Sequence, residues 1–129
     1  MAACMLVTIK ASIKRYHVYK QNYPVGTHLK CFLDPENEHS DSAIVVKKGD
    51  DVVGHVPEGL CQPLTRLFKG GHITEILAEV KGEACPSAKG VFVQGGGIEI
   101  PCSYKVFGSR DNKTLVKSII KKEIRKLTV

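Results

Sequence analysis

Two short β-branched segments joined by a compact polar turn constrain the fold of this chain more than any other feature. Residues 43–46 (AIVV) and 52–56 (VVGHV) flank a turn at 47–51 (KKGDD). β-branched residues favour extended backbone, and a short glycine-containing loop lets the chain reverse, so the stretch predicts a β-hairpin. Pro57 ends its second strand. An acidic, turn-rich segment at 34–42 precedes the hairpin, and polar groups beside a compact sheet are a common setting for binding sites.

The length of 129 residues suits a single domain, and we expect residues 1–129 to form one. No apolar run approaches the roughly 18–20 residues of a membrane span. Lys10 interrupts the apolar start too early for a secretory signal. We therefore expect a nuclear or cytoplasmic protein that is not secreted and has no membrane partner.

The five cysteines are widely spaced, with no CxxC pair. This pattern argues against a disulfide framework and against a structural zinc site. Cys31, Cys61 and Cys102 lie among apolar neighbours, so we expect buried free thiols there. Histidine and cysteine do not occur at metal-ligand spacing, and we expect neither a metal nor a cofactor.

The net charge of +6 is unevenly distributed along the chain. Residues 1–33 and 113–129 are strongly basic, whereas residues 34–112 are mildly acidic. Two basic ends would favour a polyanionic partner if folding brought them to one face. The alternative is that the lysines only keep a small protein in solution.

The rest of the chain predicts strands with two helices between or after them. Periodicity and turn residues place strands within 6–19, 27–33, 73–80 and 98–107, a loop or loose hairpin at 81–97, and helices at 57–69 and 112–127. The last helix has an apolar stripe formed by Leu115, Val116, Ile119, Ile120, Ile124 and Leu127. The expected fold is mainly β (α+β): a small, curved β-barrel of about six strands with two helices.

Enzyme motifs are missing from the sequence, which contains no GxSxG, HExxH or GxxxxGK[ST]. Gly95-Gly96-Gly97 precedes a strand rather than a helix, so it fits a hairpin turn or bulge better than a phosphate loop. We predict that the protein is not an enzyme.

Several short pieces, taken in order, resemble the HIRAN domain. They are Tyr16-His17-Val18-Tyr19-Lys20, Asp34-Pro35-Glu36-Asn37, residues 43–46, Val53-Gly54-His55-Val56-Pro57 and residues 100–108. The resemblance covers roughly residues 10–108, with the basic helix at 112–127 after it. It implies an OB-like barrel. It also implies binding of single-stranded DNA or DNA 3′ ends, because the best-known member of this family binds the 3′-hydroxyl end of single-stranded DNA. Domains of this family occur in DNA-repair helicases and as stand-alone proteins.

The resemblance also implies a DNA-binding groove, in which aromatic faces stack on bases and polar side chains hold phosphates and the terminal sugar. It places His55 at a phosphate-contacting histidine, Asn37 at a loop asparagine and His17 at a basic position. The other groove positions carry residues unlike the family's: Val18 and His39 for two stacking tyrosines, Ser40 for a carboxylate, Glu58 for a lysine and Ile98 for a stacking phenylalanine.

Two functions remain open on this basis. The first is a nucleic-acid-binding module that uses this groove and the basic ends. The second is a protein-interaction or oligomerisation module that keeps the barrel and has lost the groove. The sequence identifies no protein partner.

Overall fold

The computed structural model describes residues 4–15, 23–33, 44–83, 85–86 and 98–127. Its strands are β1 (Cys4–Arg15), β2 (His28–Leu33), β3 (Ile44–Lys48), β4 (Asp51–His55), β5 (Glu75–Val80), β6 (Cys85–Pro86) and β7 (Ile98–Gly108). The helices are α1 (Glu58–Lys69) and α2 (Lys113–Leu127), and a short 3₁₀ turn, Arg110–Asn112, precedes α2.

Six of the strands form a closed ring of antiparallel pairings. Their order is β1-β4-β3-β2-β5-β7, and β7 pairs again with β1. The short β6 pairs with the first residues of β7. The predicted mainly β fold of about six strands with two helices is therefore confirmed, and ring closure leaves the six strands with few open edges.

The hairpin expected from the sequence is β3–β4. Gly49 in its turn has a φ of +62°, which a residue without a Cβ adopts at little cost. A register shift between Val46 and Lys47 leaves Val53 unpaired in the ladder. The strand expected within 6–19 is one long strand, β1, which pairs along eleven positions with β7.

The inner face of the ring forms the hydrophobic core. Tyr104 is fully buried and its hydroxyl donates a hydrogen bond to the Ser12 carbonyl at 2.7 Å. Cys31, Cys61 and Cys102 are free and buried, as predicted. Burial raises the pKa of the Cys102 thiol to about 12. The Cys102 thiol therefore stays neutral, as an apolar interior requires.

The two helices pack against the ring and each other. On α1, Leu60, Leu64 and Leu67 are buried in the common core. On α2, Val116 and Ile120 are buried, whereas Leu115 is 44% exposed and lies outside the buried stripe that the sequence predicts. Leu115 precedes Val116 by about 100° around the helix, which turns it towards solvent. Within the described part of the chain, no helix combines the length and the apolar character needed to cross a membrane.

The outer face carries charges, among them Glu79 on β5. Its carboxylate accepts hydrogen bonds from Lys105 at 2.7 Å and Lys81 at 2.8 Å, and lies 3.6 Å from the His28 ring. Hydrogen bonds from Lys105 and then Lys81 lower the pKa of Glu79 from 4.5 to about 2. The single carboxylate of Glu79 balances only one of the two ammonium charges, so this cluster keeps one net positive charge.

Candidate nucleic-acid interface

Strand ends converge at one end of the ring. β1 ends at Arg15, which pairs with Ile98 at the start of β7, and β2 ends at Leu33, which pairs with Ile44 at the start of β3. β4 ends beside them at His55. The segments 16–22, 34–43 and 87–97, which hold or adjoin most of the groove residues expected from the sequence, are attached to these strand ends.

A cross-strand row on the outer face lies at this end. It runs over five neighbouring strands and contains, in order, Phe32, Val45, His55, Lys14 and Glu99. Directly paired residues of adjacent strands point to the same face of a sheet. The residues next to them along each strand, such as Cys31, Val46 and Ile13, belong to the inner core. We call this set the outer row.

Gly54 allows β4 to meet β1 in this row. A Cβ at Gly54 would lie 2.5 Å from the Lys14 carbonyl oxygen and 2.7 Å from Cγ2 of Ile13. No side chain fits such a distance from backbone, so the glycine is required by close approach rather than by an unusual φ. The contact sets the register in which His55 pairs with Lys14.

His55 is half-buried between Val45 and Lys14, and its Nδ1 atom is shielded from solvent. Val45 is only 7% exposed although it does not belong to the hydrophobic core cluster. The outer row therefore places a covered valine beside an imidazole that can donate or accept a hydrogen bond. A neutral or protonated histidine in this position is suited to contact a phosphate oxygen.

Lys14 is the cation next to His55, and it forms an ion pair with Glu99 on β7. Their side chains are 36% and 21% exposed, so water reaches both groups. Glu99 competes with any incoming anion for the Lys14 ammonium. The outer row thus offers less positive potential than its lysine alone would give.

Phe32 begins the outer row on β2 and is 40% exposed. The ammonium groups of Lys30 and Lys47 each lie 5.6 Å from the centre of its ring. Lys30 is two residues before Phe32 on the same face, and Lys47 pairs directly with Lys30. An aromatic ring flanked by two lysines thus stands in the open at one end of the row.

Of the sequence-predicted site residues, the structure places two. His55 ends β4 in the outer row, and Ile98 begins β7, paired with Arg15 and Pro86, although its side chain is not among those described. His17, Val18, Asn37, His39 and Ser40 lie outside the described residues, as does the side chain of Glu58. Among the residues described, no three histidine, cysteine or acidic side chains converge as metal ligands would.

Three residues of the outer row were not predicted from the sequence as site residues: Lys14, Glu99 and Phe32. Lys14 and Glu99 acquire their meaning from pairings between β1, β4 and β7, which no local pattern reveals. Phe32 did leave a signal. Leu29, Cys31 and Leu33 share one face of a predicted strand, which assigns Phe32 to the opposite, polar face.

The family of the chain follows from comparison with known proteins. The HIRAN domain family model matches residues 6–94, well over half of the chain. The chain belongs to the HIRAN domain family. HIRAN domains are binding modules, and the family binds DNA.

Solved HIRAN structures share the fold. The crystal structure of the HIRAN domain of human HLTF matches with a TM-score of 0.69 and 17% identity, covering 94% of this chain and 92% of that one. The NMR structure of the HLTF HIRAN domain matches with a TM-score of 0.66 and 17% identity, covering 94% and 91%. No curated protein sequence matches this chain significantly. At 17% identity the likeness concerns the fold alone.

Proposed function

We propose that this HIRAN domain is a non-enzymatic module that binds single-stranded DNA, with a strand terminus as the preferred part of the ligand. The observation that carries the proposal is the pairing of His55 with Lys14 on the outer face, at the strand ends where 16–22 and 34–43 are attached. Imidazole and ammonium groups side by side are suited to hold successive phosphates. Residues 1–129 act as one domain in this proposal, with His17, Val18, Asn37, His39, Ser40, His55 and Ile98 in the groove.

We expect a moderate affinity for single-stranded DNA and a modest dependence of that affinity on salt concentration. The Lys14–Glu99 pair reduces the charge available to phosphates, so few counterions are released on binding. Contact with two or three phosphates gives a slope of log K against log salt of about −1.4 to −2.1 for a single strand. Fluorescence anisotropy of a labelled oligonucleotide at increasing salt measures this slope.

His55→Ala tests the phosphate contact. We expect it to weaken binding by about tenfold or more, which corresponds to a hydrogen bond with a charged group. His28→Ala is the matched control, because His28 is also an outer-face histidine but faces Glu79. Equal effects of the two substitutions, or no binding by micromolar wild-type protein at low salt, would contradict the proposal.

The terminus is tested by comparing oligonucleotides with a 3′-hydroxyl and a 3′-phosphate. We expect tighter binding of the 3′-hydroxyl end, since a bulky dianion at the terminus would meet Glu99. Equal affinities would limit the ligand to single strands in general. Failure to bind any oligonucleotide would favour the protein-interaction module instead, for which the neutralised Lys14 is the supporting observation.

Glu99→Gln gives a change of the opposite sign. It releases Lys14 from its carboxylate partner, so affinity for the oligonucleotide should rise several-fold and the salt dependence should steepen by about one phosphate contact. Lys14→Gln should lower affinity, and adding Glu99→Gln to it should raise affinity less than the same substitution does in the wild-type protein. An affinity unchanged by Glu99→Gln would place Lys14 outside the interface.

A further inference from the structure

The exposed ring of Phe32 on β2 indicates where a DNA strand bound at His55 makes its next contact. We propose that Phe32, with Lys30 and Lys47, is a second base-stacking site that binds a nucleotide further along the same single strand. This proposal rests on the function proposed above. It adds a residue to the interface that lies outside the groove positions implied by the family.

The exposure of Phe32 is the first reason. A large aromatic side chain normally packs into a core, yet the neighbours Cys31 and Leu33 point inward and Phe32, near the end of β2, points to solvent. A ring open to solvent on a curved β-sheet can serve as a platform for a base, and stacking tolerates any base because every base has a π-face.

The charges around the ring are the second reason. Lys30 and Lys47 pair directly across β2 and β3, and like charges in that position repel each other. Each ammonium group lies 5.6 Å from the centre of the Phe32 ring. These contacts offset the repulsion between the lysines only in part, since an exposed cation–π contact contributes about 0.5–1 kcal/mol. An anion between the two ammonium groups would remove the repulsion. A phosphate next to a stacked base is such an anion.

Among the residues that the structure describes, one acidic group lies near the lysines. Glu75 is 4.0 Å from Lys30, but both side chains are well exposed, at 39% and 56%. Exposed pairs of this kind contribute little and exchange readily with another anion. Lys47 has no acidic partner within ion-pair distance among the described residues. The patch therefore keeps positive charge available.

The position of Phe32 fits the path of a strand bound at His55. Phe32 pairs with Val45, and Val45 pairs with His55, so two strand spacings, or about 10 Å, separate Phe32 from His55. Stacked nucleotides advance by about 3.4 Å, so a base roughly three nucleotides away from the phosphate at His55 reaches the ring. Val45, which is only 7% exposed, lies between the two contacts.

The absence of tryptophan from the sequence permits a direct test. In Phe32→Trp the new indole is the sole tryptophan, and stacking on a base quenches its fluorescence. We expect a single-stranded decanucleotide to quench it, with no quenching in the matched variant Leu115→Trp, which places the indole at a similarly exposed site on α2. Polyglutamate that quenches as strongly as DNA would assign the patch to acidic protein surfaces and overturn the proposal.

Affinity measurements complete the test. Phe32→Ala should weaken binding of the decanucleotide about five- to a hundredfold, the range for one base–aromatic stack. Leu115→Ala should leave it unchanged. A set of decanucleotides, each with one abasic site, identifies the base that stacks on Phe32. Loss of that base should not lower the affinity of Phe32→Ala any further. The same loss should still lower the affinity of His55→Ala.

The outcomes separate this proposal from the function on which it rests. If wild-type protein binds the decanucleotide and Phe32→Ala binds it equally well, the second stacking site is wrong and the function stands. If every decanucleotide with one abasic site binds as tightly as the intact strand, the lysines act by charge alone and the stacking proposal is again overturned. If wild-type protein binds no oligonucleotide, both proposals fall.

Discussion

The inner and outer faces of the ring shift the pKa values of ionisable groups in ways that have opposite effects on their charge. On the inner face, desolvation raises the pKa of Cys31, Cys102 and Tyr104, so all three stay neutral. On the outer face, cations lower the pKa of Glu79, so it stays charged. Because successive residues of a strand alternate between the faces, substitutions one position apart should affect different properties. Inner-face changes should cost stability, and outer-face changes should alter binding or pH response.

The largest effect on stability is expected for Gly54→Ala. Gly54 lies against the backbone of β1 and directly precedes His55 of the outer row. The new Cβ would lie 2.5 Å from a backbone oxygen of β1, which cannot move without breaking the β1–β4 contact. We expect a loss of about 3 kcal/mol in the free energy of unfolding, measured by chemical denaturation.

Gly82→Ala is the control for Gly54→Ala. Its Cβ would make an ordinary contact of 3.4 Å with Pro101, so the free energy of unfolding should change by about 0.5 kcal/mol or less. Similar losses in the two variants would show that the close approach of β1 to Gly54 is not a determinant of stability.

Tyr104→Phe tests the inner face without making a cavity. It removes the hydrogen bond from the buried hydroxyl to the Ser12 carbonyl, and we expect a loss of about 1–2 kcal/mol in unfolding free energy. Oligonucleotide affinity should stay at the wild-type value. A variant that keeps full stability but loses DNA binding would break the separation between the faces.

Glu79 predicts a pH response for the outer face. Its folded pKa of about 2 lies below the ordinary value of 4.5, so its contribution to stability is present above pH 4.5 and is lost as the pH falls towards 2. The stability difference between wild type and Glu79→Gln should therefore shrink over this range. Lys105→Gln should weaken the effect, because Lys105 is the first cause of the shift. A difference that is constant from pH 7 to pH 2 would refute it.

The smallest effect concerns the thiols and leaves stability unchanged. In a Cys85→Ser background, a thiol reagent should modify the exposed Cys4 and leave Cys31, Cys61 and Cys102 unmodified until denaturant is added. Peptide mass spectrometry identifies the labelled residues. Native-state labelling of Cys102 at the rate of Cys4 would show that the inner face opens readily.

Local patterns predicted much of the fold. The β3–β4 hairpin, α1, α2 and the strands β2, β5 and β7 follow from alternation, helical periodicity and the glycines and prolines that punctuate them. Burial of Cys31, Cys61 and Cys102 was likewise readable from their apolar neighbours. Each of these features depends on residues close together in the chain.

The outer row was not predictable in the same way. Lys14 meets His55 and Glu99 only because β1 pairs with both β4 and β7, and register between distant strands leaves no mark in a single sequence. The exposure of Leu115 has a similar origin, since the direction in which α2 docks decides which flank of its stripe is covered.

The pairing of β1 with β7 bears on how the chain folds while it is being made. Partners such as Cys4 and Gly108, or Arg15 and Ile98, are about 80 to 100 residues apart, a separation typical of slow-folding topologies. During synthesis, β1 must wait until β7 has emerged before its longest partner exists. A fragment that ended with the family match at residue 94 would keep His55 and the hairpin, but it would leave β1 with an open edge ready to pair with another chain.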